Sequence, residues 1–231
     1  SFFSIGLKPT GSKDPFALRR SGQSMIKILT KINVPITFRK IVHCYPRKKI
    51  KLTEETKENL YDFFTERFRM NMLEEKFSLD IINSVLKKNI VAEKSPYLIS
   101  QIIKHLEIAS RTIKGKSFIN NHKRICNIIK DIDVSSLPET IEISLFDTES
   151  EKKMHNLLIS LETMNSMLNQ EKINSQKIIA EFFNSNHIIE NFFKSTMVNV
   201  DQIKIRLNRL KLLFDLNKIF ASVSDFQMIE D

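Results

Sequence analysis

Between Phe192 and Val223 the chain contains neither Gly nor Pro, and its apolar residues follow a helical rhythm. Ile203, Leu207, Leu210 and Phe214 form one series, and Leu213, Leu216 and Phe220 another. Both have the three-to-four-residue spacing of a helix. At about 100° per residue, a single narrow stripe is polar: Asp201, Lys204, Asn208, Lys211, Asp215 and Lys218. The pattern predicts an unbroken helix from Asp201 to Val223, enclosed on most of its circumference, with that stripe in solvent. Arg206 and Arg209 break the rule, because they share a stripe with Leu213, Leu216 and Phe220. Such a pair is either an ion-pair anchor or a binding feature.

The same period upstream predicts a run of helices. Asp14-Pro15 opens the first, with Asp14 as N-cap and Pro15 at the first helical position, continuing to about Ile32. Residues 33–52 read as a connector, with Pro35, Pro46 and a basic run. A second helix starts after Thr53, where Glu54 and Glu55 suit the positive end of the helix dipole, and reaches about Leu73. Further helices are expected at about 78–88, from Ser95-Pro96 to about Ile113, and, past a break at Gly115, at about 117–131. Residues 132–148 hold Pro138 and no helical period, so they form a loop. Helices at about 149–169, 171–185 and 187–194 lead into the closing one, and 224–231 is a tail. No strand pattern exceeds a few residues, 142–146 at most. The class is all-α.

Composition narrows this picture. Four Gly and six Pro in 231 residues favour long helices, and 42% hydrophobic with 27% charged residues is ordinary for a globular protein. Cys44 and Cys126 are far apart, with no CxxC partner. Free thiols in a reducing cytoplasm are expected. No apolar run approaches the roughly 20 residues of a membrane span. The chain opens on Ser1 within an apolar phrase, as a piece of a longer polypeptide would.

The net charge of +9 is uneven. Residues 1–50 carry 11 Lys/Arg against one acid, residues 51–130 carry 15 against 10, and residues 131–231 carry 10 against 16. A basic half suits a polyanion partner, although lysines also serve simply to solvate helix faces.

Catalytic patterns are missing. Gly6 and Gly11 have P-loop spacing, but Ser12-Lys13 reverses the required Lys-Ser order, so a Gly-Pro loop is the simpler reading. His43, His105, His122, His155 and His187 form no i, i+3 or i, i+4 pair, and no Cys/His cluster suggests zinc. The candidates for nucleic-acid contact are Arg19-Arg20, Arg47, Lys48 and the basic residues up to Lys51, Lys123-Arg124, and the Lys194–Lys218 region. Phe118, Phe192 and Phe193 are either stacking partners for unpaired bases or core.

Two phrases are more specific. Thr10-Gly11-Ser12-Lys13-Asp14-Pro15-Phe16-Ala17-Leu18-Arg19-Arg20 resembles a signature of the β subunit of bacterial two-subunit glycyl-tRNA synthetase. Phe192-Phe193, Met197-Val198, Asp201, Ile205-Arg206, Asn208-Arg209-Leu210 and Leu212-Leu213 resemble the closing phrase of the same family, within its DALR anticodon-binding domain. Lys123-Arg124-Ile125-Cys126-Asn127-Ile128-Ile129-Lys130 is similar to a helix shared with arginyl-tRNA synthetases. Lys194 departs from the pattern, standing where the family has an acid, and the family's usual small residue before the late Asp is Ser224, before Asp225.

The resemblance implies an all-α multi-helix bundle. Residues 1–47 would end an HD-like domain whose metal-type residues lie upstream of Ser1. Residues 48–130 would form a helical connecting part, and residues 131–231 the DALR bundle. It further implies a non-catalytic, tRNA-binding part of glycine–tRNA ligase. An α subunit, in an α2β2 heterotetramer, would activate glycine with ATP and Mg2+, and no cofactor or metal would be bound by this chain. Lys204, Lys211, Lys218, Arg206, Lys123, Arg124, Arg47 and Lys48 are the candidates for contact with glycine tRNA. Arg209 is assigned as an anchor, to Asp201 or Glu190, with Asp201 and Asp14 also structural. The alternative is a scaffold that docks on the α subunit or on the rest of the β subunit.

Overall fold

The computed structural model describes residues 2–5, 14–43, 52–87, 91, 93–170 and 174–230, and no strand occurs among them. The chain divides into two compact units, Ser1–Lys104 and His105–Asp231.

In the first unit, α1 (Leu18–Leu29) and α2 (Phe38–His43) both pack on α3 (Glu54–Glu74), which also contacts α4 (Leu79–Val85). The expected straight helix from Pro15 is kinked. Pro15–Ala17 is a 3-10 turn, Phe16 and Ala17 have φ of 61° and 52°, and α1 proper begins at Leu18. The Asp14 carboxylate caps from outside the kink, accepting the Arg19 N–H at 2.9 Å. The predicted connector 33–52 likewise contains α2. Gly22 allows α1 to approach α3 closely: a Cβ there would lie 2.7 Å from Phe63 Cε1. Ile26, Phe38, Phe68 and Met72 are buried in this core.

α5 (Pro96–Ser110) starts as expected, with Ser95 Oγ accepting the Leu98 N–H. The predicted break at Gly115 is instead part of α6 (Ile113–Ile129), in its first turn. Thr112 Oγ1 accepts the Gly115 N–H, and a Cβ on Gly115 would lie only 2.1 Å from the Ala109 carbonyl oxygen. This glycine is therefore needed for a tight corner; it does not end a helix.

The second unit continues with α7 (Glu149–Asn169), α8 (Ser175–Asn184), α9 (Asn186–Ser195) and α10 (Ile203–Ala221). α10 packs on both α6 and α7, and so does α9. The central knot is aromatic. The Phe118 ring lies 5.0 Å from Phe183, 5.1 Å from Phe220 and 5.2 Å from Phe226, edge to face in each case. Phe226 belongs to a final 3-10 turn, Phe226–Met228. The expected tail is thus core, because Phe226 and Ile229 are fully or almost fully buried. Burying such a side chain contributes roughly 1.5–3 kcal/mol, enough to hold a short segment in place.

α10 is enclosed as its pattern predicts, but its polar stripe is not wholly in solvent. Asn208 is buried and brackets Glu142: its Oδ1 accepts the Glu142 N–H at 2.8 Å and its Nδ2 donates to the Glu142 carbonyl at 3.0 Å. Asn208 thus satisfies both backbone groups of an irregular segment crossing the helix, as buried backbone requires.

Candidate nucleic-acid interface

The second unit carries an open cleft of about 520 Å³, lined by Arg124 and Ile128 of α6, Phe193 to Ser195 of α9, and the following loop Thr196 to Asn199. The Arg124 guanidinium lies 4.2 Å from the centroid of the half-buried Phe193 ring. Lys194 is exposed, and Met197 projects from the loop with 72% of its surface exposed. One site therefore combines two cations, a half-exposed aromatic ring and an exposed thioether side chain. That is the chemistry of single-stranded nucleic-acid recognition: charge for phosphates and π-faces for bases.

The cleft is built by local sequence rules. On α6, Phe118, His122, Ile125 and Cys126 are buried while Arg124 is exposed. A network fastens α9 to α6: Ser117 Oγ donates to Glu190 at 2.7 Å, and Asn186 Nδ2 donates to both Ser117 and Glu190. The Ser117 bond holds the Glu190 carboxyl below its ordinary pKa against the opposing effect of burial, and Asn186 and the Lys194 charge add to it.

The loop is fixed from behind by a buried ionic cluster. Thr148 and Glu151 form a capping box at the start of α7. Glu151, fully buried, also receives the Arg209 Nε–H at 2.7 Å. Arg209 donates further to Asp147 at 3.0 Å and to the Met197 carbonyl at 2.9 Å. Burial alone would raise the Glu151 carboxyl, but the bonds from Arg209 and Thr148 outweigh it and hold the group below its usual value. Thr196 Oγ1 meets Ser150 Oγ at 2.8 Å, which ties the same loop to α7 a second time.

This arrangement changes the expected partners of Arg209. They are Glu151 and Asp147, not Asp201 or Glu190. Asp201 is exposed, and Glu190 is engaged with α6. The Thr148-x-x-Glu151 spacing was legible as a capping box, but nothing in the linear sequence joins it to Arg209.

The other candidates fall into different environments. Lys204 is exposed and makes no ion pair among the described residues. Lys218 is exposed, with its ammonium 4.7 Å from the Phe214 ring centroid. Lys211, expected in solvent, is instead mostly buried and paired with Asp215 at 2.8 Å, the (i, i+4) neighbour on its own stripe. Arg206 is half-buried. Lys123 is half-buried and donates to the Ile229 carbonyl at 3.0 Å, so it holds the chain end in place. Arg47, Lys48 and the Gly6–Lys13 loop lie outside the described residues. Phe118 and Phe192 are core and cannot stack on a base; of the three, Phe193 alone is partly exposed. The Arg124–Phe193 pair, 69 positions apart, has no signal in sequence.

Among the described residues no group of three or more His, Cys, Asp or Glu is placed to hold a metal ion, and no helix is long and apolar enough to cross a membrane.

Comparison with known proteins agrees with this geometry. The family described as "Glycyl-tRNA synthetase beta subunit" matches residues 1–87, and the "DALR anticodon binding domain" matches residues 118–226. The glycine–tRNA ligase beta subunit of Shouchella clausii is 32% identical over 99% of this chain and 33% of the relative. That of Rickettsia peacockii is 28% identical over 97% of the chain and 32% of the relative, and that of Pseudoalteromonas atlantica 26% over 98% and 32%. The chain thus spans about a third of the length of the curated relatives it matches. With the two matches in sequence order and the cleft inside the second, the chain belongs to the glycyl-tRNA synthetase β-subunit family and corresponds to the portion that includes its DALR anticodon-binding domain.

Proposed function

We propose that this chain is a tRNA-binding part of a glycine–tRNA ligase and that it contacts the anticodon arm of glycine tRNA. The cleft carries this reading, because Arg124, Lys194 and the half-exposed Phe193 ring come together in it, within the DALR match. Arg124, Lys194, Lys204 and Lys218 supply charge for phosphates, which sets register. Unstacked anticodon bases meet the cleft. Catalysis, with its ATP and Mg2+, is assigned to an α subunit in an α2β2 assembly, and this chain acts by binding.

The test is titration of the chain with glycine tRNA and with an anticodon-swapped version over a range of salt. Affinity is expected to fall with salt, with a logarithmic slope of about −0.7 to −0.9 per neutralised phosphate. Each wrong base is expected to cost about 1–3 kcal/mol, the scale of a mismatch at a DNA site. Equal affinity for the two tRNAs would remove the anticodon assignment. Charge reversal at Lys204 and Lys218 that left RNA affinity intact but broke assembly with the α subunit would favour a scaffold instead.

A further inference from the structure

We infer that Phe193 is a base-stacking platform which Arg124 covers in the RNA-free state, and that an unpaired nucleobase displaces the guanidinium on binding. This rests on the tRNA-binding reading above.

The geometry leaves no room for a base between the two groups: at 4.2 Å from the ring centroid, the guanidinium is in van der Waals contact with the ring face. Three observations make the cover removable. Arg124 is exposed, and beyond Phe193 it makes no hydrogen bond or ion pair among the described residues. The ring has a fixed neighbour of its own, because Phe193 packs edge to face with the buried Phe192 at 5.5 Å. The loop carbonyl of Met197 is held by Arg209, so the far wall of the cleft stays in place when Arg124 leaves.

The magnitudes favour exchange. An exposed cation–π contact is worth a factor of about two to five in an equilibrium constant, and stacking of a base on an aromatic ring about five to a hundred and fifty. The displaced guanidinium keeps its charge and, close to a phosphate, gains a stronger partner than the ring. The cover also keeps an aromatic face from lying open to water when no RNA is bound. The occupant is an unpaired base and not a protein side chain, since the cleft is rimmed by Arg124 and Lys194 with no acid among its lining residues.

The experiment couples a protein change to a nucleotide change. The chain and its Phe193→Leu variant are titrated with the anticodon-arm hairpin of glycine tRNA and with hairpins made abasic at each loop position in turn. Phe193→Leu is expected to weaken binding to the intact hairpin about tenfold. One abasic position should cost the parent chain a similar factor and cost the variant no more than about twofold, as interacting partners in a double-mutant cycle do. Phe193→Tyr, which keeps the ring, should bind within about twofold of the parent and guards against a folding defect in the leucine variant. In NMR spectra the Arg124 Hδ resonances, shifted upfield by the ring, should move downfield on saturation with RNA.

A Phe193→Leu penalty that is the same on every hairpin overturns the platform, and Arg124 resonances that stay upfield overturn the displacement. RNA affinity unchanged in Phe193→Leu, together with weakened assembly with the α subunit, would put a protein at the cleft and overturn it as well. If the parent chain binds none of the hairpins, the tRNA reading itself falls, which separates that failure from the others.

Discussion

Both faces of α6 meet aromatic rings of neighbouring helices, and they use them in opposite ways. On one face Phe118 and His122 are sealed among Phe182, Phe183, Phe220 and Phe226. On the other, Arg124 lies over Phe193 at the edge of an open cleft. Aromatic rings fill the first face with no polar demand except that of His122, which Asn217 Oδ1 meets at 2.9 Å. At the second, a ring is left half-exposed and covered only by a cation. The contrast separates stability from binding within one helix: the sealed face holds the bundle together, and the open one is available to a ligand.

Breaking the sealed face should have the largest effect. Phe118→Ala leaves a cavity at the meeting point of α6, α8, α10 and the final turn. It is expected to destabilise the chain by about 3–5 kcal/mol, read as a fall in the urea midpoint. Arg209→Met should cost a similar amount, about 3–5 kcal/mol, because it strands the buried Glu151 carboxylate. Arg209 also holds the Met197 carbonyl, so this variant, unlike Phe118→Ala, should speed amide hydrogen exchange in the 196–199 loop even under conditions where it remains folded.

The buried histidine gives a pH test of the same face. Burial lowers the pKa of His122 to about 4, against a smaller raising effect from its bond to Asn217. An unfolded histidine titrates near 6.5. The unfolded state therefore takes up a proton first, and the stabilisation from keeping His122 neutral is complete above pH 6.5 and lost as pH falls towards 4. The loss amounts to about 3 kcal/mol. Glu151, whose pKa is lowered in the folded state, loses its contribution only as pH falls below the ordinary glutamate range. Denaturant titrations between pH 7 and 5 thus isolate the histidine. His122→Gln should flatten the pH dependence in that window, and an unchanged slope would mean that His122 is accessible to protons in the folded chain.

The smallest change in stability belongs to the open face. Arg124→Gln removes an exposed cation–π contact, so the free energy of unfolding should change by less than about 1 kcal/mol, while affinity for the proposed tRNA partner should fall at low salt, with a salt slope shallower by roughly one phosphate's share. A stability loss as large as that of Phe118→Ala would erase the distinction between the two faces.

Periodicity located the helices of the second unit well. Glu149–Asn169 lies where the apolar spacing places it, and the enclosure of α10 follows from its apolar stripes. Where the reading failed, a contact formed only in the folded chain had overridden a local signal. Gly115 looked like a breaker until the Ala109 carbonyl required a residue without a Cβ. The tail had no period to betray that Phe226 completes an aromatic knot. Lys211 looked like a surface charge because its stripe is polar, yet Asp215 on that stripe takes it.

The sequence by itself determined the all-α class, most helix limits and, through its motif phrases, the family, since all three are written in neighbouring residues. Only the tertiary structure decided that Arg209 answers to Glu151, that Phe118 and Phe192 are core, and that Arg124 meets Phe193. Those pairings depend on how helices pack, and packing is set by shape and burial across tens of residues, which no local spacing encodes.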